Sequence, residues 1–175
     1  MEVSEERNII VVQDACILFD LVDLDLLKVF FQLELTVLTT PQVITEITDE
    51  DQQSAISIHL QNGELKVDEG GSYESISELF DEFPGLSFAD CSVLELALRK
   101  NAVVLSSDGG LRKISRRKKC EVHGTLWIIQ ELHDFGIIGK ATAIEKLKMY
   151  ASINLRAPKK IIAQMITALS RDTEP

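Results

Sequence analysis

Residues 86–113 read LSFADCSVLELALRKNAVVLSSDGGLRK and carry two periodicities back to back. From Ser87, the apolar positions Val93, Leu94, Ala97 and Leu98 recur at helical spacing. From Ala102, small and β-branched residues run without interruption and stop at Ser106-Ser107-Asp108-Gly109-Gly110. A short, wholly apolar run closed by turn residues reads as a strand buried on both faces. A helix leading into such a strand is the return half of a β-α-β unit.

The same alternation extends to both sides. IIVVQ (9–13), LTVLTT (35–40), a weaker ELKVDE (64–69), AVVLSS (102–107) and CEVHG (120–124) read as strands. Between them, helical patterns run from Asp14 to Leu33, from Pro41 to a Gly63 cap, over 72–83 and 87–101, and through a short basic stretch at 110–119. After residue 124 the pattern is helical throughout, and in the last helix Ile161, Ile162, Met165, Ile166 and Leu169 form one apolar stripe, which reads first as core and otherwise as a dimer interface or a partner groove. Strands alternating with helices imply right-handed crossovers and a mostly parallel sheet. The expectation is an α/β protein with a three-layer α/β/α arrangement around roughly five strands. With no repeat or linker, residues 1–175 read as a single domain, its core over about 9–138 and a helical C-terminal extension over about 140–171.

Composition narrows the class. Hydrophobic residues at 45% and charged residues at 26% are those of a globular domain, and no apolar run approaches the ~18 residues of a membrane span. The acidic start MEVSEERNII lacks the basic and apolar regions of a signal peptide. Cys16, Cys91 and Cys120 show no metal-ligand or disulfide spacing, which fits a reducing cytoplasm and small buried side chains. His59, His123 and His133 show no ligand spacing either and read as surface or satisfied residues. The net charge of −10 opposes a polyanionic partner. Against it stands one basic run, with Arg112, Lys113, Arg116, Arg117, Lys118 and Lys119 inside LRKISRRKKC (111–120). That run reads either as a solvated helix face or as a local nucleic-acid patch.

Four acids fall where such a sheet places its ligands. In open α/β sheets these bind beyond the carboxyl ends of the strands. Asp14 follows the first strand and Asp108 the fourth; Asp90 opens a helix that starts at that same edge, and Glu46 lies early in the helix leaving the second strand. Each has a local reading as well. Asp14 and Asp108 fit helix N-caps, and Ser87-x-x-Asp90 fits a capping box. Together, clustered carboxylates raise one another's pKa and call for a cation, for which Mg²⁺ or Mn²⁺ are the hard, oxygen-loving candidates.

The ordered set IIVVQDACILFDL, LTVLTTPQVITEI, LSFADCSVLELALRKNAVVLSSDGGLRK and VHGTLWIIQEL resembles the PIN-domain family, in particular its VapC-like ribonuclease toxins. The resemblance implies a parallel five-stranded sheet between helices and hydrolysis of RNA phosphodiester bonds. It implies an acidic pocket of Asp14, Glu46, Asp90 and Asp108 holding one or two Mg²⁺ or Mn²⁺ ions, with Ser106 supporting it by hydrogen bonding. It also implies an antitoxin partner and a homodimer, with the basic run from Arg112 to Lys119 as the candidate RNA contact. Many members carry a further acid shortly after the last Asp, where this chain has Gly109 and Gly110. That departure supports a second reading, a PIN-like regulatory or scaffold protein of weak or no activity. A phosphotransfer or receiver domain is a third, weakened by the absence of an Asp-x-Asp after the first strand and of a strand-end lysine.

Overall fold

In the computed structural model, which describes residues 10–171, five strands form one sheet. They are β1 (Ile10–Gln13), β2 (Thr36–Thr39), β3 (Leu65–Val67), β4 (Val103–Leu105) and β5 (Val122–His123). Their order is β3-β2-β1-β4-β5, and every neighbouring pair is parallel. The reading of the first ten residues as lacking a leader falls almost wholly outside the described range.

The connections explain the layers. α1 (Ala15–Asp23), α2 (Leu27–Phe30), α3 (Pro41–Glu46) and α4 (Glu50–Gln61) join strands that step away from β1 on one side. α5 (Tyr73–Glu82), α6 (Phe88–Lys100) and α7 (Gly109–Arg117) join strands that step the other way. Right-handed crossovers in opposite directions put these two groups on opposite faces of the sheet. α6 lies against β1 and β4, while α3 reaches α6 at the rim. α8 (Thr125–Asp134) packs on α1, α2 and β5; α9 (Lys140–Ile153) packs on α8, and α10 (Lys159–Arg171) on α9. The chain's direction reverses between β1 and β4, the switch point at which doubly wound sheets open a crevice.

The core fills both layers. Leu18, Leu21 and Phe30 on one side and Val93, Leu94 and Leu111 on the other are fully buried, each such side chain contributing roughly 1.5–3 kcal/mol. Asn101, in the left-handed conformation (φ 50°), ends α6 and turns the chain into β4. Of the cysteines, Cys91 is buried and Cys120 half-buried, but Cys16 is exposed. In the apolar stripe of α10, Ile162 and Leu169 are buried, whereas Ile161 is exposed.

Two helices expected as continuous are broken. The run from Asp14 to Leu33 divides at Asp25, which takes a left-handed conformation (φ 53°) while Leu24 and Leu26 on either side enter the core. Leucines on both sides of Asp25 hide such a turn, because they continue the apolar pattern through the break. The run from Pro41 to Gly63 divides at residues 47–49. Ile47 is extended and buried, the Gln53 side-chain Nε2 donates to its carbonyl at 2.7 Å, and Asp49 caps α4 by accepting from the Gln52 backbone amide.

Candidate active site

The strand register brings the first two acids together. Gln13 pairs with Leu105, so the next residues, Asp14 and Ser106, leave the sheet side by side. Asp14 is only 3% exposed. Its Oδ1 accepts from the Ile17 amide at 2.9 Å, capping α1, and its Oδ2 accepts from the Ser106 hydroxyl. The Ser106 oxygen also accepts the Asp108 amide at 3.0 Å.

Asp108 in turn caps α7, its Oδ1 accepting from Leu111 at 2.8 Å. Asp90 closes a full capping box on α6: its Oδ2 accepts from the Ser87 amide, and Ser87 Oγ accepts from the Asp90 amide. The local and the functional readings are therefore compatible. Each cap occupies one carboxylate oxygen of Asp90 and Asp108 and fixes the direction of the other. Glu46 ends α3 at the rim, near enough to Asp90 to feel its charge.

Burial and the neighbouring charges act on these groups. Burial, opposed by the Ser106 and Ile17 hydrogen bonds and reinforced by the fields of Asp90 and Asp108, pushes the Asp14 carboxyl up to about 7. Partial burial and then Asp90 raise Glu46 as well. Although Cys16 is exposed as a residue, partial desolvation of its thiol and the surrounding carboxylates, Asp14 foremost, push that thiol up to about 12, which leaves it a poor nucleophile.

A divalent cation suits this donor set. Among the described residues, no three acidic, thiol or imidazole groups stand together as a preformed cage. Yet all the converging groups are hard oxygen donors. The charged form of the buried Asp14 carboxyl is disfavoured by burial and by the neighbouring carboxylates, and among the described residues no cationic side chain forms an ion pair with it. A hard cation relieves that repulsion.

Beyond Asp108 the crevice widens into an open cleft of 810 Å³ between α7, α8 and the end of α9. A second polar cluster, absent from the sequence-level candidates, lines it. Asp20 Oδ2 accepts from both Ser107 Oγ and Thr125 Oγ1 at 2.6 Å. Its sequence signal is a single acid inside the otherwise apolar ILFDLV of α1. Of the basic run, Arg112 and Arg116 line this cleft. Arg117 and Lys118 instead lie over the Phe83 ring at 5.8 and 5.1 Å, Lys118 pairing with Glu82, while Lys113 and Lys119 are exposed. His59 and His123 pair with Glu64 and Glu121; His133 Nδ1 is buried with no partner among the described residues, so that histidine is not satisfied.

Fold and site define an α/β protein, doubly wound, with carboxylates gathered at its switch point. The sequence matches the DUF3368 family, described as a PIN domain, over residues 10–171, and the chain belongs to the PIN-domain family. PIN domains are generally nucleases acting on RNA. The solved structure of PAE2754 from Pyrobaculum aerophilum is similar, with a TM-score of 0.53 and 18% identity over 71% of this chain and 96% of that one. At that identity the likeness is one of fold. No curated protein matches the chain. Among the described residues no helix is long and apolar enough to cross a membrane.

Proposed function

We propose that this chain, as a single PIN domain over residues 1–175, is a divalent-metal-dependent endoribonuclease, the toxin of a toxin–antitoxin pair acting in the cytoplasm. The observation that carries the reading is Asp14: a carboxyl held by two donors, buried, and kept in the field of Asp90 and Asp108. Asp14, Asp90 and Asp108 would hold Mg²⁺ or Mn²⁺, with Glu46 beside them at a second ion or a water. Such an ion, when bound, would supply charge neutralisation and lower the pKa of a bound water. The protein's own part is orientation. Ile17 and Ser106 fix Asp14, while the caps of α6 and α7 leave Asp90 Oδ1 and Asp108 Oδ2 without a hydrogen-bonding partner among the described residues. Of the basic run, Arg112 and Arg116 are the residues placed to meet RNA beside Asp108.

Cleavage of a single-stranded RNA with Mn²⁺ tests the reading. Asp14→Asn is expected to abolish it, and an Asn variant that still cuts would overturn the role of Asp14. An antitoxin and a second copy of the chain are the partners that accompany this reading.

One observation favours a weak or inactive regulatory PIN domain instead: Gly109 and Gly110, both exposed, stand where a further acid would complete a second ion's ligands. Thermal stability with and without Mn²⁺ separates the two, because only a pocket that binds the ion raises the melting temperature.

A further inference from the structure

The cleft beyond Asp108 carries a charge pattern that the carboxylate site does not use. On a chain of net charge −10, Arg112 and Arg116 stand one turn apart on α7 and face the cleft. Arg156 reaches the same space from the loop before α10. None of the three makes an ion pair among the described residues, whereas Arg99 and Lys118 elsewhere do. Arg112 is held in place: its Nη1 donates to the Ser106 carbonyl at 2.7 Å. Partial burial, then the like charge of Arg116, lower its pKa. Two adjacent guanidiniums that form no ion pair among the described residues are an arrangement that an anion stabilises, even with Asp20 and Asp108 lining the same cleft.

The same cleft is also lined by aromatic rings. Trp127 stacks on His123 with ring centroids 4.5 Å apart and 15° between planes. One indole face is thus covered, and Trp127 still lines the cleft. The hydrogen bonds of Ser107 and Thr125 to Asp20 anchor the start of α8, which carries this ring.

We infer that the cleft seats one nucleotide of a single-stranded RNA beside the bond to be cut, its phosphate on Arg112 and Arg116 and its base stacked on Trp127. The assignment rests on the nuclease reading above for the position of the cut, which Asp108 marks by lining both spaces. An acidic peptide would satisfy the arginines but leave the indole face unused. A paired base in a duplex has no free face to offer.

Trp127 is the chain's single tryptophan, so its fluorescence reports the site without cleavage. The full chain, kept in EDTA, is titrated with a seven-nucleotide adenine RNA, with an abasic ribose-phosphate oligomer of equal charge, and with a glutamate heptapeptide. Saturable quenching is expected with the RNA alone, and the abasic oligomer is expected to bind about tenfold more weakly. Trp127→Leu is expected to lose about tenfold in RNA affinity with an unchanged salt slope, whereas Trp127→Phe keeps most of it. Arg116→Gln is expected to flatten the slope of log affinity against log salt by about 0.7. Circular dichroism of each variant checks that it folds. Equal affinity for the abasic oligomer, or quenching by the peptide that matches the RNA, overturns the assignment, the second outcome making the cleft an acidic-peptide site. Cleavage with Mn²⁺ in a chain that shows no quenching removes the nucleotide seat and leaves the nuclease reading intact. Quenching without cleavage keeps the seat and removes the nuclease reading.

Discussion

Ser106 donates its hydroxyl to the Asp14 carboxylate across 92 positions of sequence, and the same oxygen accepts the amide of Asp108 at 3.0 Å. A single fully buried hydroxyl therefore ties the acid after β1 to the acid after β4. Ser106→Ala removes one of the two donors to Asp14 and moves its pKa further upward. The variant is expected to lose about 1–3 kcal/mol of stability, and roughly 10- to 100-fold in Mn²⁺ affinity. Chemical denaturation and calorimetric titration read these separately. An unchanged Mn²⁺ affinity would reduce Ser106 to a purely structural link.

Asp14 itself makes stability depend on pH in a defined direction. Its folded pKa, about 7, lies above the ordinary 3.8, so the folded state binds the extra proton between those values. The contribution of Asp14 to stability is therefore greatest below pH 4, falls as pH rises toward 7, and stays reduced above it. Asp14→Asn removes the ionising group, keeps an acceptor for Ile17, and is expected to stabilise the metal-free protein at pH 8 by up to about 4 kcal/mol. At pH 4 the gain should vanish. Melting curves at the two pH values check this, and a variant less stable than wild type at pH 8 would contradict the buried-charge account.

What the sequence discloses about this site follows from where each signal lies. Asp14 and Asp108 are legible because an apolar strand stops at each, and a strand's end fixes position without knowledge of its neighbours. Asp90 is legible through Ser87, since a capping box is a local pattern. The parallel α/β arrangement follows from alternation alone. The break at Asp25 is hidden because Leu24 and Leu26 keep the hydrophobic pattern unbroken, and a left-handed aspartate has no strong local signature. The Asp20 cluster is hidden for a different reason: its partners Ser107 and Thr125 come from two other segments, and only the packing of α8 on α1 joins them. For the basic run, sequence shows charge but not facing, and the end of α7 and its cap place Arg117 and Lys118 over Phe83.

That facing gives a direct comparison. Lys118 pairs with Glu82 and lies over Phe83, so Lys118→Gln with Arg117→Gln should leave the salt dependence of RNA binding within error of wild type. Only a small loss of stability is expected, since exposed ion pairs contribute about 0–1 kcal/mol. Binding measured at several salt concentrations checks it. A slope flattened as much as by Arg116→Gln would mean that RNA reaches both sides of α7.

Thr125 and Ser107 together hold the Asp20 carboxylate, whose pKa burial raises in spite of them. Thr125→Val preserves shape and removes one donor, so the carboxylate rises further. The expected cost is about 1–2 kcal/mol at pH 8, shrinking as pH falls and Asp20 protonates in both states. Because the same bond anchors the start of α8, the fluorescence of Trp127 should change in the unliganded variant. Stability loss that is equal at pH 8 and pH 4 would point to lost packing rather than to Asp20.

Gly124 offers the most local test of how Arg112 is held. It follows β5 opposite Ser106, as the Leu105–His123 pairing dictates. A Cβ there would stand 2.7 Å from Arg112 Nη1 and 3.3 Å from the Ser106 carbonyl oxygen. The guanidinium is the end of a flexible chain and yields first, so Gly124→Ala is expected to break the Arg112–Ser106 hydrogen bond while leaving the sheet in place. The fold should therefore persist, with a melting temperature lowered by only a few degrees for roughly 1 kcal/mol. RNA binding should weaken, and its salt slope should flatten by about 0.7, as one phosphate contact is lost. A variant that melts much earlier yet binds RNA with the wild-type slope would show that the glycine serves the turn into α8 and that Arg112 needs no help to reach its place.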